Sequence, residues 1–338
     1  MIAGYLASFV NHLWLSTLFA AAAGLLTLAF RKNRASVRYW LWLAASVKFL
    51  VPFSPLVAIG SQFEWRAAPA VAPKTMLLPL ASAIDDVVQP VALASSAPLP
   101  TRYAPAILLF IWFCGFSRVI FSWARRWRGI RAVLRTAAPL DLDAPVKIMS
   151  SPARLEPGVF GIFRPVLVVP EGILDHLAPE QWRAILAHEL CHVRRRDNLT
   201  AAIHMAVEAV FWFHPLVWWI GRRLVEQRER ACDEEALLAS GDPQAYAEGI
   251  LAVCRMYVES PLACVSGVTG SNLKKRIRGI MENRFLARLS LAKNAALALT
   301  GVVAVYVPVA VGLLHAQCAA SGVRSSLGET RRSEQNVL

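Results

Sequence analysis

Long apolar stretches dominate the pattern of hydrophobic and polar positions along the chain. Each one is close to the roughly 20 residues that a helix needs to cross a bilayer. The four stretches are Gly4–Phe30, Tyr39–Gly60, Ala104–Ser122 and Leu291–His315. The pattern therefore predicts a polytopic α-helical membrane protein with four transmembrane helices.

The distribution of Lys and Arg around these stretches predicts their orientation. Basic residues are frequent at Arg31–Arg38, Arg125–Arg135 and Lys274–Lys293, and rare between residues 61 and 103. Short loops rich in Lys and Arg stay in the cytoplasm. Both termini are therefore expected outside. The expected division is two transmembrane helices in 1–60, an extracytoplasmic loop in 61–103, a third helix in 104–124, a cytoplasmic domain in 125–290, a fourth helix in 291–316 and a short extracytoplasmic tail in 317–338.

The composition agrees with a membrane protein whose basic residues contact the lipid headgroups. Hydrophobic residues make up 56% of the 338 positions and charged residues only 17%, against roughly 25% charged in average globular chains. The formal net charge is +13, and most of it flanks the apolar stretches. Attraction to anionic lipid headgroups explains this placement, so we expect contact with the bilayer and no direct contact with nucleic acid.

The predicted cytoplasmic domain mixes strand and helix patterns. Val-rich runs at Val146–Met149 and Pro165–Pro170 read as strands, separated by Gly158–Gly161. A basic helix, Trp123–Arg135, precedes them. Helices are expected from Pro179 through the motif described below, from Asn198 to Ser240 and from Pro243 to Val258. The fold class is therefore an α+β domain in which a small β-sheet lies next to a helix, and an edge strand there could hold an extended peptide by main-chain hydrogen bonds.

The segment Ile203–Ile220 leaves three alternatives open. It is mostly apolar but contains two histidines, a glutamate and a proline. It could be a membrane-embedded helix pair, a re-entrant hairpin or a buried core helix. A further full crossing would place the basic segment Arg222–Arg230 outside, against the rule that basic segments stay inside, so the re-entrant and buried alternatives are favoured.

The run His188-Glu189-Leu190-Cys191-His192 carries the candidate chemistry. Residues four apart lie on one face of a helix, so both imidazoles can reach one metal ion. Glu189 then lies beside the open position of the metal, where it can accept a proton from water. The predicted helix start at Pro179 places the motif well inside a helix, which favours the metal interpretation over a chance match.

A catalytic zinc site normally has three protein ligands, so a third is needed downstream. The candidates are Glu208, His214, Glu226, Glu229, Asp233 and Glu234. Glu229 and Asp233 lie four residues apart, so one could bind metal while the other accepts the outer N–H of a ligand histidine. Spacing alone does not choose between Glu226 and Glu229. Asp197 is either such a supporting residue or the partner of Arg194 or Arg223.

Three segments together carry a resemblance to a known family: HELCHVRRRD, FWFHPLVWWIGRR and ERACDE. They resemble the gluzincin-like membrane metallopeptidases of the BlaR/MecR antirepressor type over residues 1–316. The resemblance implies one Zn²⁺ per chain on His188, His192 and Glu229, Glu189 as the general base, and a supporting acidic residue at Asp233. His214 is either a packed residue or a hydrogen-bond donor to the substrate oxyanion.

The same resemblance implies a function and a location. The expected activity is a zinc endopeptidase in a bacterial inner membrane that cleaves a cytoplasmic winged-helix repressor of the BlaI/MecI kind. Self-cleavage is a further expected activity, with Asn272–Arg288 as the candidate segment. No S-x-x-K motif follows the last apolar stretch before Leu338, so we expect no direct β-lactam receptor role. The signal would come from a partner, the outer loop, the tail or the membrane, and the expected partner besides the substrate is a sensor protein or a second copy of the chain.

Two other classes of function compete with the endopeptidase. A non-enzymatic signalling scaffold or sensor would keep the zinc as a structural ion. A transporter would need ionisable groups inside the membrane, but few lie within the four apolar stretches, where His12 and Lys48 are near the ends. The endopeptidase is the favoured function and the scaffold is the alternative.

Overall fold

The computed structural model describes residues 2–51, 103–153, 155–258, 270–282 and 295. The helices are α1 (Ile2–Ala29), α2 (Ala35–Leu50), α3 (Ala104–Thr136), α4 (Ile173–His176), α5 (Pro179–Arg194), α6 (Asp197–Val210), α7 (Pro215–Ser240), α8 (Pro243–Val258) and α9 (Gly270–Met281). The strands are β1 (Ala138–Leu140), β2 (Lys147–Ser151), β3 (Gly158–Phe160) and β4 (Val166–Pro170).

The chain divides into two compact units. One consists of Met1–Phe19, Lys48–Pro98 and Leu289–Leu338. Among its described residues, His12 Nε2 lies 2.8 Å from the carbonyl oxygen of Phe49. The other unit consists of Ala20–Val47 and Leu99–Arg288. This second unit contains the whole β-sheet, helices α3 to α9 and the candidate site.

Two helices among the described residues are long and apolar enough to cross a membrane, Leu6–Ala29 and Ala104–Thr136. Four crossings therefore remain a prediction. Part of the second predicted span, nearly all of the fourth span and of the outer loop, and the tail lie outside the described residues. Helix α3 joins the third predicted span to the predicted basic helix without a break. Its 33 residues make it about 50 Å long, so its basic end extends past the roughly 30 Å of a hydrocarbon core.

The sheet has four strands in the order β1-β2-β4-β3. β2 and β4 are parallel, while β1 and β3 pair antiparallel with β2 and β4 respectively. The two predicted strands are confirmed as β2 and β4, but the prediction that Gly158–Gly161 only separates them is wrong, since β3 occupies most of it. Gly161 has a φ of +94°, and a Cβ there would lie 2.5 Å from the Arg164 carbonyl oxygen, so the turn into β4 requires glycine.

The hydrophobic core of the second unit fixes α5 against the sheet and against α8. Leu167 and Val169 of β4 pack with Ile185 of α5 and with Tyr246 and Ile250 of α8, and all five are buried. Burial of large apolar side chains is the main favourable term in folding. The core therefore holds the motif-bearing helix in one position.

The segment left open from the sequence, Ile203–Ile220, is a helical hairpin. α6 ends at Val210, a turn follows, and α7 begins at Pro215, where proline is tolerated because the first turn needs no N–H donor. Val207, Val217 and Ile220 are buried. This geometry is compatible with both alternatives that the sequence favours, a buried segment and a re-entrant hairpin.

Polar contacts fasten α7 to the start of α2. The Glu234 carboxylate accepts the Ala35 backbone N–H at 3.0 and 3.1 Å, which satisfies a free donor at the helix N-terminus. Arg38 Nε donates to Gln227 Oε1 at 2.7 Å. Glu234 and Gln227 flank Glu229 along α7. These contacts therefore restrict the position of the helix that carries the predicted third ligand.

Candidate metal centre and active site

The two motif histidines lie side by side on α5. Their ring centroids are 4.9 Å apart and the rings are nearly perpendicular. His188 is buried and His192 is half-buried. At the start of the helix, the Ala178 backbone N–H donates to Gln181 Oε1 at 3.0 Å. The helix therefore begins ahead of the motif and presents both imidazoles on one face, as their spacing predicts.

Glu229 of α7 brings a carboxylate to the same point. Its Oε2 lies 3.5 Å from His188 Nε2 and 4.0 Å from His192 Nε2, and one donor atom from each residue lies within 4.8 Å of the others. Ligand atoms at 2.0–2.1 Å around a tetrahedral ion are about 3.3 Å apart. The three side chains thus fit one small metal ion after a slight closure.

Glu226, the alternative third ligand, forms ion pairs with basic residues instead. Its carboxylate pairs with Arg223 at 2.8 Å, Arg230 at 2.9 Å and Lys275 at 2.6 Å. The geometry therefore favours Glu229, which the sequence spacing alone could not separate from Glu226. The second oxygen of Glu229 accepts two hydrogen bonds from Arg228, at 3.0 and 3.1 Å, which fixes the orientation of the carboxylate.

A buried relay holds the imidazole of His188. His188 Nδ1 donates to Tyr246 Oη at 2.9 Å, and Tyr246 Oη donates to Asp233 Oδ1 at 2.7 Å. Asp233 Oδ1 also lies 3.3 Å from His188 Nδ1. When a metal ion displaces the proton from Nε2, the proton on Nδ1 remains and Nε2 is the ligand atom, which is the common arrangement for histidine ligands.

A second acidic residue holds His192. Its Nδ1 lies 2.8 Å from Asp197 Oδ2 at the first turn of α6. Cys232 Sγ is also near, 3.4 Å from the same nitrogen.

The arginine paired with Asp197 is Arg195, at 3.4 Å. The predicted salt bridge to Arg194 or Arg223 is wrong, because those two bind Glu235 and Glu226.

Arg276 of α9 closes the side of the site next to His188. Its guanidinium donates to both oxygens of Asp233, at 2.7 to 3.0 Å, and to Tyr246 Oη at 3.2 Å. One guanidinium nitrogen lies 3.3 Å from His188 Nδ1 and 3.2 Å from Nε2. Near-equal distances place it over the ring face, outside the plane of the Nε2 lone pair, so the arginine leaves that lone pair available.

Burial and close charges shift the ionisation of the ligand groups. Burial alone would raise the pKa of Glu229, but a hydrogen bond with His188 and the charge of Arg228 hold it well below the usual value. Burial likewise would raise the pKa of Asp233, yet Arg276 and His188 lower it to about 2. Both carboxylates are therefore ionised at neutral pH, as a cation site requires.

Glu189 lies between the histidines in sequence and is 8% exposed. Burial, aided by the negative charge of Glu229, raises its pKa above the usual glutamate value, against the opposing effect of both histidines. A carboxylate with a raised pKa is a better proton acceptor near neutral pH. Glu189 lines the same cavity as His188, His192 and Glu229, which has a volume of about 1720 Å³. The cavity gives these groups access to a large ligand.

Sequence analysis missed two residues of the site and assigned to it one residue that the structure places outside it. Tyr246 and Arg276 lie in α8 and α9 and belong to no motif, so only the packing of those helices reveals them. His214, a candidate for contacting the substrate oxyanion, is the N-cap residue of α7. It is absent from the lining of the cavity that contains His188 and Glu189, so the structure does not bring it to the site.

Comparison with known protein families identifies the family of this chain. A family model described as the BlaR1 peptidase M56 matches residues 11–280. The chain belongs to the BlaR1 peptidase M56 family. The resemblance inferred from the three sequence segments is thereby confirmed.

Curated relatives include regulators and proteases. The regulatory protein BlaR1 of Bacillus licheniformis is 30% identical over 156 residues, which are 44% of this chain and 26% of that protein. The methicillin resistance protein mecR1 of Staphylococcus aureus is 22% identical over 195 residues, 52% of this chain and 33% of that protein. A protease HtpX homologue of Methanosarcina mazei is 26% identical over 211 residues, 52% of this chain and 70% of that protein.

The chain thus spans about a quarter to a third of the length of the BlaR1 and mecR1 proteins. The family and these relatives support a membrane metalloprotease. The structure contributes a candidate metal-binding group formed by His188, His192 and Glu229.

Proposed function

We propose that this protein is a membrane-embedded zinc endopeptidase that cleaves a cytoplasmic protein. The observation that carries the proposal is the convergence of His188, His192 and Glu229 beside Glu189 in one cavity. These ligands come from two helices that the core and the α2 contacts hold in place. Two neutral imidazoles and one carboxylate form the donor set typical of catalytic zinc, which keeps one position open.

Zinc in this site would supply a Lewis acid for the scissile carbonyl. The residues of the chain perform the remaining work. Glu189 accepts a proton from the attacking water and delivers it to the leaving amine nitrogen, which its raised pKa favours. Asp197 and the Tyr246–Asp233 pair keep the outer nitrogens of His192 and His188 protonated. Each ligand therefore stays in the tautomer that binds metal.

The proposed substrate is a winged-helix transcriptional repressor. The support is the family and the names of the relatives, a regulatory protein and a methicillin resistance protein. The proposal includes the four-span topology with the catalytic domain in the cytoplasm. Self-cleavage between residues 272 and 288 belongs to it as well, because α9 enters this stretch and places Arg276 against the site.

The alternative proposal is a signalling scaffold that keeps zinc only as a structural ion. Structural zinc sites are closed by four protein ligands. Among the described residues, the cluster around His188 contains three donors and opens into the cavity that Glu189 lines. This observation favours the enzyme over the scaffold.

The decisive variant is Glu189→Gln in the full-length protein reconstituted in nanodiscs. The matched control is Glu180→Gln, because Glu180 is exposed on the same helix. The substrate in the assay is a purified winged-helix repressor of the BlaI/MecI kind. We expect the parent and the control to cleave it and Glu189→Gln to lose cleavage by at least a hundredfold while keeping its zinc. Cleavage by Glu189→Gln at the rate of the parent contradicts the mechanism. If Glu189→Gln also behaves like the parent in every signalling assay, the scaffold is supported.

A further inference from the structure

The turn between β3 and β4 exposes two adjacent apolar side chains. Phe163 is 91% exposed, and Ile162 beside it is exposed as well. Arg164, the next residue, is also exposed, and it forms no ion pair with any residue that the structure describes. The tip of this turn therefore presents an apolar pair followed by a positive charge.

The position of this tip is fixed by the start of α6. Asn198, in the first turn of α6, caps the turn, because its Nδ2 donates to the carbonyl oxygens of Val159 and Gly161, both at 2.9 Å. Gly161 adopts a φ of +94° there. Phe163 is two residues beyond Gly161, so the backbone can carry it no more than about 7 Å farther. The tip must therefore lie close to the level of Asn198.

The other end of α6 is fastened to the apolar part of α3. Trp112 Nε1 donates to the carbonyl oxygen of Val210 at 2.9 Å, and Trp212 Nε1 donates to the carbonyl oxygen of Trp112 at 3.1 Å. Trp112 lies about 12 Å along α3 from its first residue, near the centre of the apolar stretch Ala104–Ser122. If α3 crosses the bilayer, the C-terminal end of α6 therefore lies near its middle.

From this point, α6 and the basic half of α3 lead back to the same sheet. β1 comes directly after α3, and the start of α6 is tied to β3. Val210 and Asn198 are about 18 Å apart along α6, and Trp112 and Arg125 are about 20 Å apart along α3. Arg125 begins the basic cluster that marks the inner end of the apolar stretch. Asn198 is therefore about level with the membrane surface, and a tilt of α6 against α3 would bring it nearer to the bilayer.

The exposed pair lies outside the cavity of the candidate site. Val159, Phe160 and Asn198 line that cavity, whereas Ile162 and Phe163 are absent from its lining. A ligand in the cavity would therefore leave the exposed ring uncovered. Large apolar side chains next to basic ones are typical of segments that lie in a membrane interface, and anionic headgroups attract basic residues at this level. Both observations favour lipid as the partner of the tip.

We propose that the β3–β4 turn docks into the headgroup region of the cytoplasmic leaflet, with Ile162 and Phe163 in contact with lipid. This inference rests on the topology in the proposed function, in which α3 crosses the bilayer, and it does not depend on the catalytic mechanism. Docking of the turn holds the sheet against the membrane surface. It also holds the first turn of α6, which carries Asp197, the partner of His192.

The test places a photoreactive aromatic side chain at the tip. Phe163 is replaced by p-benzoylphenylalanine in the full-length protein, in nanodiscs of phosphatidylethanolamine and phosphatidylglycerol. After irradiation, mass spectrometry identifies the cross-linked molecules. The larger side chain should leave the fold intact, because position 163 is almost fully exposed. Replacement of Ile162 provides a second probe position if the first protein fails to fold.

Two control positions in the same chain calibrate the yield of lipid adducts. Phe113, exposed on α3 next to Trp112, contacts lipid if α3 crosses the bilayer. Leu238 is also exposed, but it lies about 35 Å along α7 from Pro215 at the hairpin turn, well beyond the roughly 15 Å of one hydrocarbon leaflet. We expect position 163 to give at least about fivefold more lipid adducts than position 238, because only the former reaches the interface.

Each outcome has a defined meaning. Adducts at position 163 that equal those at position 238, while position 113 reacts with lipid, overturn the inference, and so do cross-links to a second copy of the chain. Lipid adducts should persist when purified repressor is added, and their replacement by repressor adducts also overturns the inference. No lipid adducts at position 113 would refute the proposed topology and the inference with it. Failure of the catalytic mechanism appears separately, as repressor cleavage that does not depend on Glu189.

Discussion

Removal of the Tyr246 hydroxyl tests the relay behind His188. Tyr246→Phe keeps the fully buried ring and deletes an oxygen that contacts three groups. The hydroxyl donates to Asp233 at 2.7 Å, accepts from His188 Nδ1 at 2.9 Å and accepts from Arg276 at 3.2 Å. The substitution therefore changes the supporting hydrogen bonds and little else.

The magnitude follows from the kinds of bond that are lost. A hydrogen bond to an ionised group contributes about 1.5–3 kcal/mol. Asp233 keeps Arg276 as a partner, so the net loss in the free energy of unfolding should be about 2 kcal/mol. Substitution of residues behind metal ligands typically weakens metal affinity 10–100-fold. We expect zinc affinity to fall in that range, because His188 loses the acceptor that orients its ring.

The assay is a zinc titration against a chromophoric chelator, combined with thermal unfolding of the chelated and zinc-loaded proteins. Tyr103→Phe serves as the matched control, since Tyr103 is exposed, and it should leave both quantities unchanged. A Tyr246→Phe protein that binds zinc as tightly as the parent, within twofold, would refute the idea that this relay positions His188.

Two further predictions concern charge around the site. Arg276→Gln should weaken zinc binding about tenfold and destabilise the fold by about 2 kcal/mol, because the buried Asp233 loses its main partner; Arg278→Gln, exposed on the same helix, is the control for chelator titration and thermal unfolding. Burial and Arg276 would lower the pKa of His188, but hydrogen bonds with Asp233 and Glu229 outweigh them and raise it to about 9. In the zinc-free protein, the stabilisation from His188 should therefore be complete below about pH 6.5. About 3 kcal/mol of the free energy of unfolding should be lost as the pH rises from there through 9. A free energy of unfolding that stays flat over that interval, relative to His188→Gln, contradicts this.

The sequence predicted the residues whose roles depend on local spacing. The four-residue interval between His188 and His192 places both rings on one helical face whatever the rest of the fold does. The strands β2 and β4 were likewise recognisable from their runs of β-branched residues. These features need no knowledge of distant contacts.

Residues whose roles depend on packing could not be found in the same way. Glu226 and Glu229 lie three residues apart on α7, so both are plausible ligands until the crossing with α5 is known. Tyr246 reaches His188 across 58 residues and Arg276 across 88. The short strands β1 and β3 were missed because three-residue strands carry too little periodicity to distinguish them from turns.

The central claim is that Glu229 completes one metal site with His188 and His192. Zinc content and affinity of purified Glu229→Gln, compared with Glu226→Gln and the parent, test it most directly. The structure predicts one zinc per chain in the parent and in Glu226→Gln, and at least a hundredfold weaker binding in Glu229→Gln. One zinc per chain with unchanged affinity in Glu229→Gln, or loss of zinc in Glu226→Gln instead, would contradict it.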